Sequence, residues 1–275
     1  MGISTLSLGR VRRISKRSLV LFCAVVLLLS LNGCANQPPS QNMLSGKRLK
    51  VTATFSGFIN PSYHYFFLIN NVGDRNAHGP VAVFHAPYGN GFATGSGGAA
   101  DGFTDFIQFD GVQPGIAGYS LYHVLSGSSL SRFSNPVNPI NAARPNPSDI
   151  TGKTLQFEID LSQLITDANG NPLSTAGAAA MARNLQYLQV NFIATDRIPI
   201  DAATEQNTRV DSLGDTRSGA GRGSFLIVDL SQNTTYDNTH ANFDGVQEPS
   251  DYDVSGPDVE PSLDLREWSV QISQQ

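Results

Sequence analysis

Eight acidic residues, Asp237, Asp244, Glu248, Asp251, Asp253, Asp258, Glu260 and Asp264, fall in one stretch without a single Lys or Arg, interleaved with Asn, Gly and Pro. Calcium is held by several hard oxygens supplied from a loop, and the sequence Asp251-Tyr252-Asp253 sets two carboxylates at a spacing that lets them share an ion. With Asp258 next along the chain, these three are the predicted metal ligands and calcium the predicted cofactor. The stretch completes no EF-hand signature, so a solvated acidic loop that aids solubility is the alternative. Asp167-Ala168-Asn169-Gly170-Asn171 is a second oxygen-rich segment whose composition also fits a plain turn.

Other chemistry is sparse. The run Gly89 to Gly98 (GNGFATGSGG) has glycine at the wrong spacing for a phosphate loop and no helical pattern behind it, which leaves a surface loop. Its aromatics, Tyr88 and Phe92, are the predicted ligand-binding platform. The five histidines, His64, His78, His85, His123 and His240, share no metal-ligand spacing, and His64 and His123 sit in apolar runs where satisfied core residues are expected. Glu158 and Asp160 project from one face of a strand as a glycosidase pair would, yet in an alternating strand that face is the solvated one. No zinc-protease motif, nucleophile elbow or phosphate-binding Gly-Lys-Ser is present. The expectation is a protein with no catalytic residues.

The N-terminus specifies a location. Arg10, Arg12, Arg13, Lys16 and Arg17 precede an apolar run from Leu19 to Leu31, and Leu31-Asn32-Gly33-Cys34 follows at its end. A basic region, a short apolar region and small residues at the cut make a secretory signal peptide. Thirteen helical residues reach about 20 Å, short of the roughly 30 Å hydrocarbon core, so the run does not read as a membrane span. The four closing residues resemble the lipobox of bacterial lipoproteins. That resemblance implies diacylation of the Cys34 sulfur, cleavage before it, and a lipid bilayer as partner. Ala35 after the Cys resembles lipoproteins sent to the outer membrane where a cell has two. Residues 1–33 are then the signal peptide and 34–46, with Pro38-Pro39, a tether.

Export changes the balance of charge. Five of the 18 basic residues and none of the 23 acidic ones precede Cys34, leaving 13 against 23 and a net charge of −10. An acidic body of this kind has no footprint for nucleic acid and no electrostatic attraction to anionic lipid. Cys23, the other cysteine, leaves with the signal peptide, which excludes a disulfide, a catalytic thiol and a cysteine metal site. The fold must rest on its own core.

That core is written in alternation. Leu49, Val51, Ala53 and Phe55 alternate with Lys50, Thr52, Thr54 and Ser56, and the same period of two recurs at Leu155 to Leu161, Leu188 to Ala194 and Trp268 to Ile272. Tyr63 to Ile69, Phe103 to Phe109, Tyr119 to Leu125 and Phe225 to Leu230 are apolar on both faces and predict central strands covered on each side. Only Ser174 to Asn184 reads as helix, with Ser174 or Thr175 as its N-cap. Eight or more strands and one helix predict a mainly β chain, an antiparallel β-sandwich of jelly-roll or immunoglobulin-like type with long loops at 80–102 and 126–149. Residues 47–275 read as one domain, with two small β domains divided near Pro147 as the alternative.

An opening strand, the aromatic strand Tyr63-His64-Tyr65-Phe66-Phe67-Leu68-Ile69 with its polar turn, the segment Leu155 to Leu164 and a closing aromatic strand together resemble the sandwich domains of the DOMON and family-nine carbohydrate-binding-module type. The resemblance implies sugar binding, or haem in some members. Where sugar-binding members clamp the ligand between paired tryptophans, this chain has Trp268 alone. The expected function is a non-enzymatic binding module displayed in the cell envelope, with a glycan or another envelope protein as its partner. A structural or assembly lipoprotein is the alternative and a glycan hydrolase the third reading.

Overall fold

The computed structural model describes residues 45–82, 102–109, 118–125, 137–143, 145, 150–167, 169–171, 173–197, 208–217, 223–238, 246 and 248–274. In chain order the described strands are β1 (Lys47–Phe55), β2 (His64–Asn70), β3 (Asp105–Phe109), β4 (Tyr119–His123), β5 (Asn141–Ala143), β6 (Thr154–Asp160), β7 (Tyr187–Thr195), β8 (Val210–Ser212), β9 (Leu226–Asp229), β10 (Thr234–Asp237) and β11 (Leu265–Gln274), with one α-helix, α1 (Thr175–Asn184), between β6 and β7. They form two antiparallel sheets, ordered β10-β11-β1-β6-β5 and β4-β3-β2-β7-β8, with β9 also paired to β7. The fold is mainly β, two unclosed antiparallel sheets consistent with a sandwich.

Period-two alternation positions the first sheet. β1 buries Leu49, Val51, Ala53 and Phe55, and Val51 pairs with Val270 on one side and Phe157 on the other. The inward faces of three strands therefore coincide, which a register slip of one residue would invert. Between the sheets, Phe67 of β2 meets Phe157 of β6 edge to face at 5.5 Å, and Tyr119 lies 5.6 Å from the same ring. Such aromatic pairs add about 0.5–1.5 kcal/mol each beyond their buried area. One apolar cluster thus draws on both sheets, and a pocket within it, beside Phe67 and Phe157, has about 20 Å³. Trp268, 2% exposed, belongs to it.

The second sheet is covered on its outer face as well, where Phe66, Leu68, Phe106 and Ile193 form a smaller cluster. That cover changes the reading of β7. Its alternation predicts a solvated face, but Gln189 and Asn191 are buried, and each side chain ties down a covering segment. Gln189 Nε2 donates to the carbonyl of Ala77 at 2.7 Å, and Asn191 Nδ2 donates to those of Pro80 and Ser224. Polar groups on this face bind backbone instead of water. β9, expected as a central strand, instead alternates and, among the described residues, pairs with β7 alone. Within the predicted loop 126–149, Asn141–Ala143 forms a short strand against β6.

The helix forms where predicted. Ser174 Oγ accepts from the Gly177 N–H at 3.3 Å, and at the far end Lys47 Nζ donates to the carbonyls of Arg183 and Leu185, neutralising the open end of the helix. The pairing of β1 with β11 has one irregularity. Thr54 pairs with Glu267 but Phe55 with Leu265, so Arg266 is an extra residue in β11. This bulge keeps Leu265 and Trp268 both inward and sends Arg266 out past the end of β1.

Candidate functional site

The predicted ligands separate in space. Asp251 and Asp258 have side chains 71% and 70% exposed and are engaged by arginines from elsewhere in the chain, Arg217 Nη2 at 3.1 Å and Arg209 Nη2 at 2.8 Å. The Arg217 hydrogen bond holds the Asp251 carboxyl below its ordinary range. Asp253 turns the other way. It is wholly buried, and its carboxylate lies with those of Asp211 and Asp264, one oxygen from each falling within 4.8 Å of the others.

Three elements build this nest. β8 carries Asp211; Val210 exchanges both backbone hydrogen bonds with Ser255 at 2.9 Å, which clips the 253–255 segment alongside β8. Asp264 directly precedes β11. Gly214 has φ of +84°, a conformation costly to any residue with a Cβ, and the turn it makes aims its N–H at Glu248 Oε1, 3.2 Å away. Beyond that turn Thr216 Oγ1 reaches back to Asp211 Oδ1 and to the Asp253 carbonyl.

The four carboxylates are unequally provided for. Asp211 accepts from the N–H groups of Ser212 and Leu265 at 2.9 and 2.7 Å. Asp264 accepts from Ser56 Oγ and from Arg266 Nε, the residue freed by the bulge. Arg266 also donates to the carbonyls of Pro249 and Asp251, closing the acidic loop over the nest. Asp253 has both carboxylate oxygens buried with no hydrogen-bond donor among the described residues, whereas the Trp268 indole lies against the Glu248 carboxyl. Among the described residues one guanidinium, that of Arg266, thus faces four acidic groups. Burial, then the charge of Asp253, raises Asp211 well above the ordinary carboxylate range; burial and the neighbouring Asp264 raise Asp253; burial pushes Glu248 up to about 8. Such a nest binds protons or a hard cation, because four dry negative charges cannot coexist otherwise.

A second buried carboxylate lies on the other sheet. Asp105 of β3 stands opposite His123 of β4 in register, with its Oδ1 against His123 Nδ1. Its Oδ2 accepts from Asn71 Nδ2 at 2.9 Å and Thr104 Oγ1 at 2.6 Å. Burial raises Asp105, while His123 and Thr104 pull it back. These four residues floor a cleft of about 350 Å³ whose walls include Leu164, Met181 and Leu185. His123 is a satisfied core histidine, as its apolar context predicts.

The remaining candidates resolve into structural roles where they are described. Glu158 pairs with Arg48 at 2.8 Å, and Asp160, expected to be solvated, is buried and caps the short 3-10 helix Leu161–Leu164 through the Ser162 N–H. One is held by an arginine and the other by backbone. Asp167 accepts from the N–H groups of Asn169 and Asn171 in an exposed turn. Cys34, Tyr88 and Phe92 lie outside the described residues. Asp211 and Asp264 were not among the predicted ligands, yet each bears a signal: Val210-Asp211-Ser212-Leu213 and Leu263-Asp264-Leu265 place an acid between apolar neighbours, where a solvated side chain is not expected. No protein-family model matches this chain, nor does any curated protein or solved structure with which it was compared.

Proposed function

We propose that the chain is a lipid-anchored, extracytoplasmic and non-enzymatic binding module that takes a small polyhydroxylated ligand, a carbohydrate by class, in the cleft above Asp105 and His123. The basic and apolar N-terminal regions ending in Leu31-Asn32-Gly33-Cys34 support export and anchoring. The cleft is the observation that carries the binding reading. Its volume of about 350 Å³ falls in the range of small-molecule pockets, and it combines fixed polar groups on the floor with apolar walls, as a sugar's hydroxyls and C–H faces require. The pocket between the sheets beside Phe67 and Phe157 has about 20 Å³, room for a water and not for a sugar.

A second reading, a structural or assembly lipoprotein of the cell envelope, is favoured by the aromatics. Trp268 is in the core, and among the described residues Phe58 is the one aromatic counted among the exposed large hydrophobics. A stacking platform of the usual kind is therefore not offered by these residues. A glycan array probed with the detergent-solubilised lipoprotein separates the two. The binding reading expects one class of glycan to be retained, with affinity falling by about tenfold in Met181→Lys, which puts a charge on the cleft wall. Retention of no glycan favours the structural reading, and retention indifferent to Met181→Lys removes the cleft from it.

A further inference from the structure

We infer that Asp211, Asp253 and Asp264, with Glu248 beside them, are the ligands of a structural calcium ion. The acidic cluster alone would not carry this. What carries it is that Asp253, with no exposed surface, presents two carboxylate oxygens that no donor among the described residues meets. A buried ionised carboxylate without a partner costs several kcal/mol, so it is neutralised by a proton or satisfied by an ion. Donors that do reach the nest leave these oxygens untouched: Leu265 N–H and Ser212 N–H serve Asp211, and Arg266 and Ser56 serve Asp264.

The chemistry of the nest selects the ion. All of its ligands are oxygens, with neither His nor Cys among them, which disfavours zinc. The three aspartates come from β8, a loop and the entry to β11, an irregular set that suits the six to eight oxygens and variable geometry of calcium. Magnesium demands a near-octahedral shell and keeps several of its waters, for which a nest of fully buried aspartates has little room. Carbonyl oxygens are near at hand as well, since the Thr216 hydroxyl is the donor seen on that of Asp253. The ion would join the acidic loop to both β8 and β11, which makes its role mechanical: it fastens residues 248–264 to the sandwich. This inference does not depend on what occupies the cleft at Asp105.

The experiment is a thermal melt of the detergent-solubilised lipoprotein, stripped with EDTA and titrated with calcium or magnesium to 10 mM, roughly ten times the weak end of extracellular calcium sites. Calcium is expected to raise Tm by about 5–10 °C near a hundredfold excess over Kd, with magnesium much weaker. Asp253→Asn should abolish the rise, while the double variant Asp251→Asn, Asp258→Asn should keep it. A Tm unmoved by calcium, or a rise retained in Asp253→Asn, or one lost in the double variant, overturns the assignment. Should Asp253→Asn fail to fold, equilibrium dialysis of the wild-type protein against radioactive calcium decides, with one tightly held ion per chain expected and none held as the contrary result.

Discussion

Asp105 and Asp253 are both carboxylates inside the protein, and they are kept there by opposite means. Asp105 stands in a regular antiparallel pair, where register sets His123 directly across from it and Asn71 and Thr104 fill the remaining positions. Asp253 lies in a loop held by the bridge at Ser255 and by Arg266 and Thr216, and neither of its carboxylate oxygens is met by a donor among the described residues. The contrast teaches that burial of an acid is not itself a sign of ligand binding. A carboxylate whose partners come from its own chain is part of the frame, and its cleft is shaped by that frame. One whose partners are missing is incomplete until something else arrives.

The sharpest way to break this comparison is to remove each acid in turn. Asp105→Ala strips His123 of its carboxylate and leaves Asn71 and Thr104 with donors facing a void, so a loss of about 3–5 kcal/mol is expected, the usual cost of taking one member from a buried pair. Asp253→Ala, measured in EDTA, should cost far less than that, because it removes a group that burial and Asp264 already oppose. Urea unfolding of both variants checks this. Equal losses would mean that Asp253 is satisfied within the chain after all, and the distinction would collapse.

The sequence made one half of this comparison more legible than the other. β1, β6 and β11 could be read because a half-buried strand repeats every two residues, and the helix because Ser174 stands before an alanine-rich run. β7 misled, since Gln189 and Asn191 look solvated until one knows that residues 75–80 cover them, and covering is a long-range event. The acidic stretch advertised a cation site but not its members. Asp251 and Asp253 are indistinguishable by type and spacing, and what separates them is Arg217, 34 residues from Asp251 in sequence and next to it in space. Asp211 and Asp264 join the nest through strand pairing that no local pattern encodes. Asp105 was passed over altogether, because its partner His123 becomes visible only once β3 and β4 are in register.

A gentler probe sharpens the comparison through pH. Glu248, ordinarily near 4.5, is pushed up to about 8 in the folded chain by burial, so folding favours its protonated form. Its contribution to stability is therefore full below about 4.5 and is lost as pH rises towards 8. Asp251, Asp229 and Glu260 are held low instead, and their contributions change only below the ordinary carboxylate range. Between pH 5.5 and 7.5 in EDTA, stability should fall with a slope of at most about 1.4 kcal/mol per pH unit from this group, and Glu248→Gln should lessen the fall, leaving the share of Asp211 and Asp253, which are raised as well. Calcium should flatten it too, by taking the place of the proton. A wild-type protein whose stability in EDTA rose over that window, or one no different from Glu248→Gln, would show that the nest is not short of positive charge.

The smallest effect belongs to the acids that the sequence placed beside Asp253 and the fold did not. Asp251 and Asp258 are mostly exposed, and their arginines have other holds: Arg217 also bonds Asp215, and Arg209 also bonds the buried carboxylate of Asp196. Exposed pairs of this kind are screened by water and salt, and ordering two long side chains offsets most of the attraction. The loop does not depend on them, because Arg266 grips it through the carbonyls of Pro249 and Asp251 whatever the Asp251 side chain does. Asp251→Ala and Asp258→Ala should each move Tm by no more than about 1–2 °C at low salt and by less in 0.5 M NaCl, where the Debye length is a few ångströms (an order-of-magnitude estimate). Arg266→Ala is the informative contrast, since it removes the one cation bonded to the nest among the described residues and frees the loop together. If Asp251→Ala were as damaging as Arg266→Ala, the loop would be held by its surface charges, and the division between an exposed acidic rim and a buried acidic centre would have to be redrawn.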